Sequence, residues 1–154
     1  MKLPVVGITM GDPAGVGPEV IMKALARADA YSVCRPLVIG DRRQMERAKA
    51  ILKSNLNVFS VSNPGEAKFN PGTVDLIDLA LPSSDIPYGK VSAAAGEAAY
   101  RYIERAVQLA LDGSIDAICT APINKEGLAL AFGPPAIFGL GVLDAGNYIL
   151  YFAA

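Results

Sequence analysis

The chain has 154 residues, with 14 basic and 15 acidic side chains and no histidine. That length suits one domain able to bury its own core, and a net charge of -1 implies no polyanionic partner, so nucleic acid is not expected. The missing histidine removes the commonest general base and the commonest transition-metal ligand together.

Val5 to Met10 is an apolar run that reads as a strand. It leads into Gly11-Asp12-Pro13-Ala14-Gly15-Val16-Gly17-Pro18-Glu19. Gly11, Gly15 and Gly17 let the backbone turn sharply and approach a ligand closely. Pro18 suits the first helical position, and Glu19 places negative charge in the first turn, where the helix dipole favours it. The spacing excludes a Walker loop, which needs Gly-Lys-Ser/Thr. It also excludes the dinucleotide fingerprint, because Val20 stands where the third glycine belongs. On the residues alone two readings stay open, a tight strand-to-helix turn and a ligand cradle.

Pro18 to Ala28 is then expected as a helix with Val20, Ile21, Ala24 and Leu25 on its apolar face. Leu37-Val38-Ile39 reads as a short buried strand ending at Gly40-Asp41. Arg42 to Lys53 returns to helical spacing, with Met45, Ala48 and Leu52 inward and the Arg42-Arg43 doublet solvated at its start. Val58 to Val61 is a third strand, closed by the turn Ser62-Asn63-Pro64-Gly65. After Pro71-Gly72, Val74 to Leu79 is a fourth strand, and Leu81 to Lys90 is a connection. Ser92 is placed to cap a helix reaching about Leu111, with Ala99, Tyr102, Ile103, Ala106, Leu109 and Ala110 inward and a Glu97–Arg101 pair outside. Asp112-Gly113 ends it. Ile115 to Cys119 reads as a buried strand. The alternation predicts an α/β fold, a mostly parallel sheet with flanking helices.

The last of these strands ends in a second polar cluster, Thr120-Ala121-Pro122-Ile123-Asn124-Lys125-Glu126. In open parallel sheets ligands bind beyond the carboxyl ends of strands, where both this cluster and the glycine loop fall. Lys125 would steady a phosphate or carboxylate, while Thr120 and Asn124 would supply neutral hydrogen bonds. The bland alternative is that Asn124 caps the next helix and Lys125 is solvated. Cys34 and Cys119 have no partner motif, so a reduced, cytoplasmic setting is expected, with Cys119 a buried small hydrophobe. The opening apolar run is too short for a signal peptide.

From Phe132 onward Asp144 is the only charged residue. Pro134-Pro135 interrupts any helix, and the prolines, glycines and Asp144 argue against a membrane span. The expected division is residues 1–131 as the α/β segment and 132–154 as an atypical apolar tail.

Three stretches occur in order: the glycine loop, Tyr88-Gly89-Lys90-Val91-Ser92 at the entry to an Ala/Gly-rich helix, and Thr120-Ala121-Pro122-Ile123-Asn124-Lys125. Together they resemble the 4-hydroxythreonine-4-phosphate dehydrogenase family of vitamin B6 biosynthesis, including its threonate and erythronate 4-phosphate dehydrogenase paralogues, over roughly residues 4–130. The resemblance implies a fold similar to the N-terminal part of isocitrate and isopropylmalate dehydrogenases. It implies a homodimeric enzyme that oxidises a phosphorylated hydroxy acid with NAD and a divalent metal, after which carbon dioxide is lost. It places Asp12, Thr120, Asn124 and Lys125 on the substrate side beside Gly11, Gly15 and Gly17, in positioning or phosphate contact.

The chain departs from that family where a Gly-His-Thr-Glu segment and three metal-binding histidines are expected. It carries Gly133-Pro134-Pro135 and no histidine. The departure predicts a truncated or frame-shifted, catalytically incomplete form that binds neither NAD nor metal well, with no catalytic residue assigned. A non-catalytic interaction module and a phosphate-binding module are the competing expectations.

Overall fold

The computed structural model describes residues 2–81 and 86–133. Part of the Leu81–Lys90 connection and the tail from residue 134 therefore lie outside the described residues. In chain order the elements are β1 (Val5–Thr9), α1 (Gly17–Leu25), α2 (Ala30–Val33), β2 (Arg35–Gly40), α3 (Arg42–Leu52), β3 (Asn57–Val61), a single 3-10 turn (Pro64–Glu66), β4 (Thr73–Asp78), α4 (Ala93–Leu111), β5 (Ala117–Thr120) and α5 (Lys125–Phe132). The strands form one five-stranded sheet in the order β3-β4-β2-β1-β5, with every neighbouring pair parallel.

That order fixes where the helices go. From β1 through β2 to β3 the chain steps one way along the sheet, and from β4 it crosses to the far side of β1. Right-handed crossovers running in opposite directions put their helices on opposite faces. Accordingly α1 and α3 pack on each other, while α4 lies against β1, β2 and β5 and carries α5 beside it. The core between these layers is built from Leu37, Val38 and Ile39 of β2, Val74 and Leu76 of β4, Met45 and Ala48 of α3, and Tyr102 and Ala106 of α4. β2 and β4, central in the sheet, are buried along most of their length because both their faces are covered, β4 with Asp75 among its buried residues.

Local chemistry explains the helix starts. Asp41, Ser92 and Asn124 each adopt extended backbone and accept from an amide in the first turn, the Arg43, Ala95 and Gly127 N–H groups respectively. The Glu97–Arg101 pair forms at 3.7 Å, with Arg101 also meeting Glu104 at 3.0 Å.

Four expectations are corrected. α1 stops at Leu25 and a separate short helix, α2, follows, burying Tyr31. The inward stripe of α1 is Pro18, Ile21, Met22 and Leu25, the i, i+3, i+4, i+7 set, so Val20 (48% exposed) and Ala24 face outward. Cys119 is exposed, because β5 is the edge strand and has only β1 beside it among the described residues. Ile115 is buried but precedes its strand; its side chain fills the space above Gly7. Among the described residues no helix is long and apolar enough to cross a membrane.

Candidate substrate-side site

The carboxyl ends of β1 and β5 lie side by side, and the chain leaves them toward opposite faces. After β1 it enters α1, and after β5 it enters α5, which packs on α4. This is the switch point at which open α/β sheets form a crevice. The glycine loop and the Thr120–Lys125 cluster are its two lips, and they are joined by backbone. The Ala121 N–H donates to the Thr9 carbonyl at 3.0 Å, and the Asp12 N–H donates to the Pro122 carbonyl at 2.9 Å.

The close join decides what two of the glycines are for. Gly11 has φ +72°, and a Cβ there would fall on the Pro122 and Ala121 carbonyl oxygens. A Cβ at Gly17 would fall on the Met10 carbonyl oxygen. The space that these glycines leave is filled by the chain's own backbone. Gly15 differs: its Cβ would meet the Asp12 carbonyl oxygen at 3.4 Å, an ordinary contact, with no positive φ. So Gly11 and Gly17 serve the tight turn, and Gly15 alone keeps room for the cradle reading.

Asp12 is 8% exposed and its Oδ1 accepts from the Ala14 N–H at 2.8 Å, closing an Asx turn. Thr120 sits opposite Thr9 in the β1–β5 register. Both hydroxyl oxygens are buried with no hydrogen-bond partner among the described residues. Asn124 does what the bland reading expected, since its Oδ1 accepts from the Gly127 N–H at 3.0 Å, which leaves only its Nδ2 donors for anything else. Lys125, the first residue of α5, is exposed. The structure thus brings Asp12 and the Thr120 to Pro122 backbone together, while Lys125 is exposed at the rim.

The middle motif joins them. The Gly89 N–H donates to the Ala14 carbonyl at 2.8 Å, and Ile86, Ala14 and Ala95 form a small buried cluster. Gly96 of α4 in turn meets Gly127 of α5 so closely that a Cβ would fall on the Gly127 carbonyl. All three stretches that the sequence set apart therefore interlock at one edge of the sheet.

Sequence reasoning missed a second group at the same edge. Asp41 (3% exposed) and Asp78 end β2 and β4. Asp78 Oδ1 accepts from the Arg42 and Ala80 N–H groups, both at 3.0 Å, beside the Asp41 cap of Arg43. Burial raises the Asp41 carboxyl above its ordinary value, the Arg43 N–H pulls it back, and the Asp78 charge adds to the rise. Tyr102, read from the sequence only as part of an apolar stripe, is fully buried and its hydroxyl has no partner among the described residues. Burial, then the charges of Asp41, Asp78 and Asp12, push its phenol far above the ordinary range. The available signal was position: an Asp just past β2 and another closing β4 are where caps and ligand-edge groups belong.

A groove of about 620 Å³ lies alongside, lined by Asp41, Arg42, Arg43, Glu46, Asp78, Ala80 and Leu81. Its charges are mixed and the first amides of α3 are already engaged by Asp41 and Asp78, so it offers an anion little. Among the described residues no group of three or more His, Cys, Asp or Glu side chains is placed to hold a metal ion.

Comparison with known proteins places this geometry among relatives. The family model described as pyridoxal phosphate biosynthetic protein PdxA matches residues 32–133. A D-threonate 4-phosphate dehydrogenase of Cupriavidus necator is 57% identical over 126 residues, 82% of this chain and 38% of the relative. The crystal structure of a 4-hydroxythreonine-4-phosphate dehydrogenase from Burkholderia phymatum superposes with a TM-score of 0.84 at 50% identity, covering 92% of this chain and 45% of that one. The corresponding structure from Klebsiella pneumoniae gives 0.79 at 37% identity, covering 88% and 43%. The chain thus spans less than half the length of each of these relatives.

Proposed function

The chain belongs to the family of the pyridoxal phosphate biosynthetic protein PdxA, and we propose that it forms the substrate side of a dehydrogenase acting on a phosphorylated four-carbon hydroxy acid. The observation that carries this reading is the interlocking of the glycine loop, the Tyr88–Ser92 entry and the Thr120–Lys125 cluster at the β1/β5 crevice. The 57% identical relative favours D-threonate 4-phosphate as substrate; 4-hydroxythreonine 4-phosphate, named for the structural relatives, is the second reading.

In this reading Lys125 supplies a cation at the rim, for the phosphate or carboxylate, and the α5 N-terminus adds its dipole to the same end. Thr120 offers a hydroxyl that has no partner among the described residues. Asp12, whose negative charge would repel a phosphate, shapes the loop through its Asx turn and does not touch the anion. In the reaction proposed for the whole enzyme, NAD would supply the hydride acceptor and a divalent metal would supply charge stabilisation at the substrate oxygen. Among the described residues no cluster of His, Cys, Asp or Glu is placed to ligate a metal, and the chain's own carbonyls occupy the spaces beside Gly11 and Gly17. No chemical step is therefore assigned to this chain. A homodimeric assembly and a cytoplasmic location belong to the same proposal.

Calorimetry and turnover separate its parts. D-threonate 4-phosphate at millimolar concentration is expected to give binding heat that inorganic phosphate alone matches only weakly, and absence of heat would remove the substrate-side assignment. With NAD and magnesium, manganese, cobalt or zinc, the chain alone is expected to form no NADH. Measurable turnover would overturn its catalytic incompleteness.

A further inference from the structure

The glycine loop is held from outside by a second segment. Ile86 packs on Ala14, and the Gly89 N–H donates to the Ala14 carbonyl at 2.8 Å, so residues 86–89 lie across the apex of the loop. What holds that segment in place reaches it from α3. Arg47 Nη1 donates to the Ile86 carbonyl at 3.1 Å, and the Arg47 guanidinium carbon lies 3.6 Å from the centre of the Tyr88 ring. One planar group therefore donates to the backbone and stacks on the side chain two residues further on. An ammonium has no plane to stack and cannot do both in that geometry.

The Tyr88 hydroxyl and Glu19 Oε2 are buried atoms with no partner among the described residues. Burial first and then the Glu19 charge raise the Tyr88 phenol, while Arg47 lowers it. Tyr88 of the strap thus stacks on Arg47 of α3 and lies in the field of the Glu19 charge on α1.

We propose that Arg47 is a positioning residue that fastens the Ile86–Gly89 strap onto the glycine loop from α3 and so fixes the loop backbone at the β1/β5 crevice. The importance of that backbone for substrate rests on the function proposed above. The clamp does not, and it is measured without ligand.

The test is amide hydrogen exchange of the whole chain by NMR. The Gly89 N–H reports the clamp, and the Met10 N–H, which donates to the Ile39 carbonyl inside the sheet, reports global stability. In Arg47→Ala, Gly89 is expected to exchange about tenfold faster relative to Met10, the signature of a local opening. Arg47→Lys is expected to show most of the same acceleration, and Arg43→Ala, on the same helix but outside the clamp, none. Tyr88→Phe keeps the stacked ring and is expected to leave Gly89 within about twofold of the parent, whereas Tyr88→Leu is expected to open it; these two carry the test if the arginine variants do not fold. Unchanged exchange at Gly89 in Arg47→Ala, equal acceleration of Gly89 and Met10, or full rescue by lysine would each overturn the proposal. Failure of calorimetric binding would leave it standing.

Discussion

At the scale of single residues, three glycines that look alike in the sequence separate by what a methyl group would meet. Gly11→Ala must put an L-residue at φ +72° against the Pro122 carbonyl. It is expected to cost about 2–4 kcal/mol, combining left-handed strain and overpacking. Gly17→Ala is expected to cost about 1–3 kcal/mol, since the Met10 carbonyl it meets is backbone and cannot swing aside. Gly15→Ala is expected to stay within about 0.5 kcal/mol of the parent. Urea midpoints measure all three, and a Gly15→Ala loss as large as that of Gly11→Ala would refute the distinction. If Gly15→Ala keeps stability but loses binding heat, Gly15 is the glycine that faces the ligand.

Asp41 gives a second prediction at this scale. Its carboxyl is raised in the folded chain, so the folded state holds that proton more tightly than the unfolded state does. Stability from this group is therefore greatest below the ordinary carboxylate value. It falls as pH rises through the window up to the raised folded value, then levels off. Asp41→Asn keeps an oxygen to cap the Arg43 N–H and does not titrate. The variant is expected to gain on the parent in urea midpoint as pH is raised from the ordinary carboxylate value of about 4 through the raised folded value. A constant difference between the two proteins across that range would show that Asp41 carries no such burden.

At the scale of elements, α5 decides whether the Thr120–Lys125 cluster can work as a site. Its N-terminus is set by Asn124, and its height against α4 is set by the Gly96–Gly127 contact, where Gly96 has no room for a side chain and a Cβ at Gly127 would press on the Ser92 carbonyl at 3.2 Å. Capping and ligand contact are separable by substitution. Asn124→Ala removes the cap and is expected to cost about 1 kcal/mol. Asn124→Asp keeps an acceptor for the Gly127 N–H and suits the helix dipole, so stability is expected to hold. Its added negative charge should nonetheless abolish heat from D-threonate 4-phosphate if the anion docks at this helix end. Equal heats for Asn124→Asp and the parent would move the phosphate elsewhere along the crevice.

At the scale of the molecule, a doubly wound parallel sheet places its crevice where connections diverge, and here that is between β1 and its edge neighbour β5. One side of this crevice is rigid, since β1 is central and both its lips are pinned by backbone hydrogen bonds. The other side is the rim of the sheet, with Ala117 and Cys119 of β5 exposed and Leu130 (58%) and Phe132 (41%) of α5 also turned outward. Apolar surface gathered beside an edge strand is where further chain or a partner finds area to bury. The relatives are more than twice as long as the stretch they share with this chain, which fits a site completed from beyond the described residues.

The sequence by itself determined the five strands in their order, the helices α1, α3 and α4, the cap at Ser92, the parallel α/β class and the family, while it offered the Asn124 cap as one of two readings and did not anticipate α2. Each of these depends on near neighbours in the chain: a side chain reaching the amide two or three residues on, a 3.6-residue stripe, a strand too apolar to have an open face. It also determined that Gly11 to Glu19 and Thr120 to Lys125 were the stretches to watch. Only the tertiary structure decided what they do. That Gly11 and Gly17 make room for backbone depends on Pro122, brought in from beyond α4, and on Met10 folded back under α1. Tyr102 looked like one more apolar residue until Asp41, Asp78 and Asp12 converged on it from three different strand ends. Cys119 looked buried because an apolar run does not reveal whether its strand is central or at the edge. These are long-range facts: they follow from which strand lies beside which, and no local pattern of side chains encodes them.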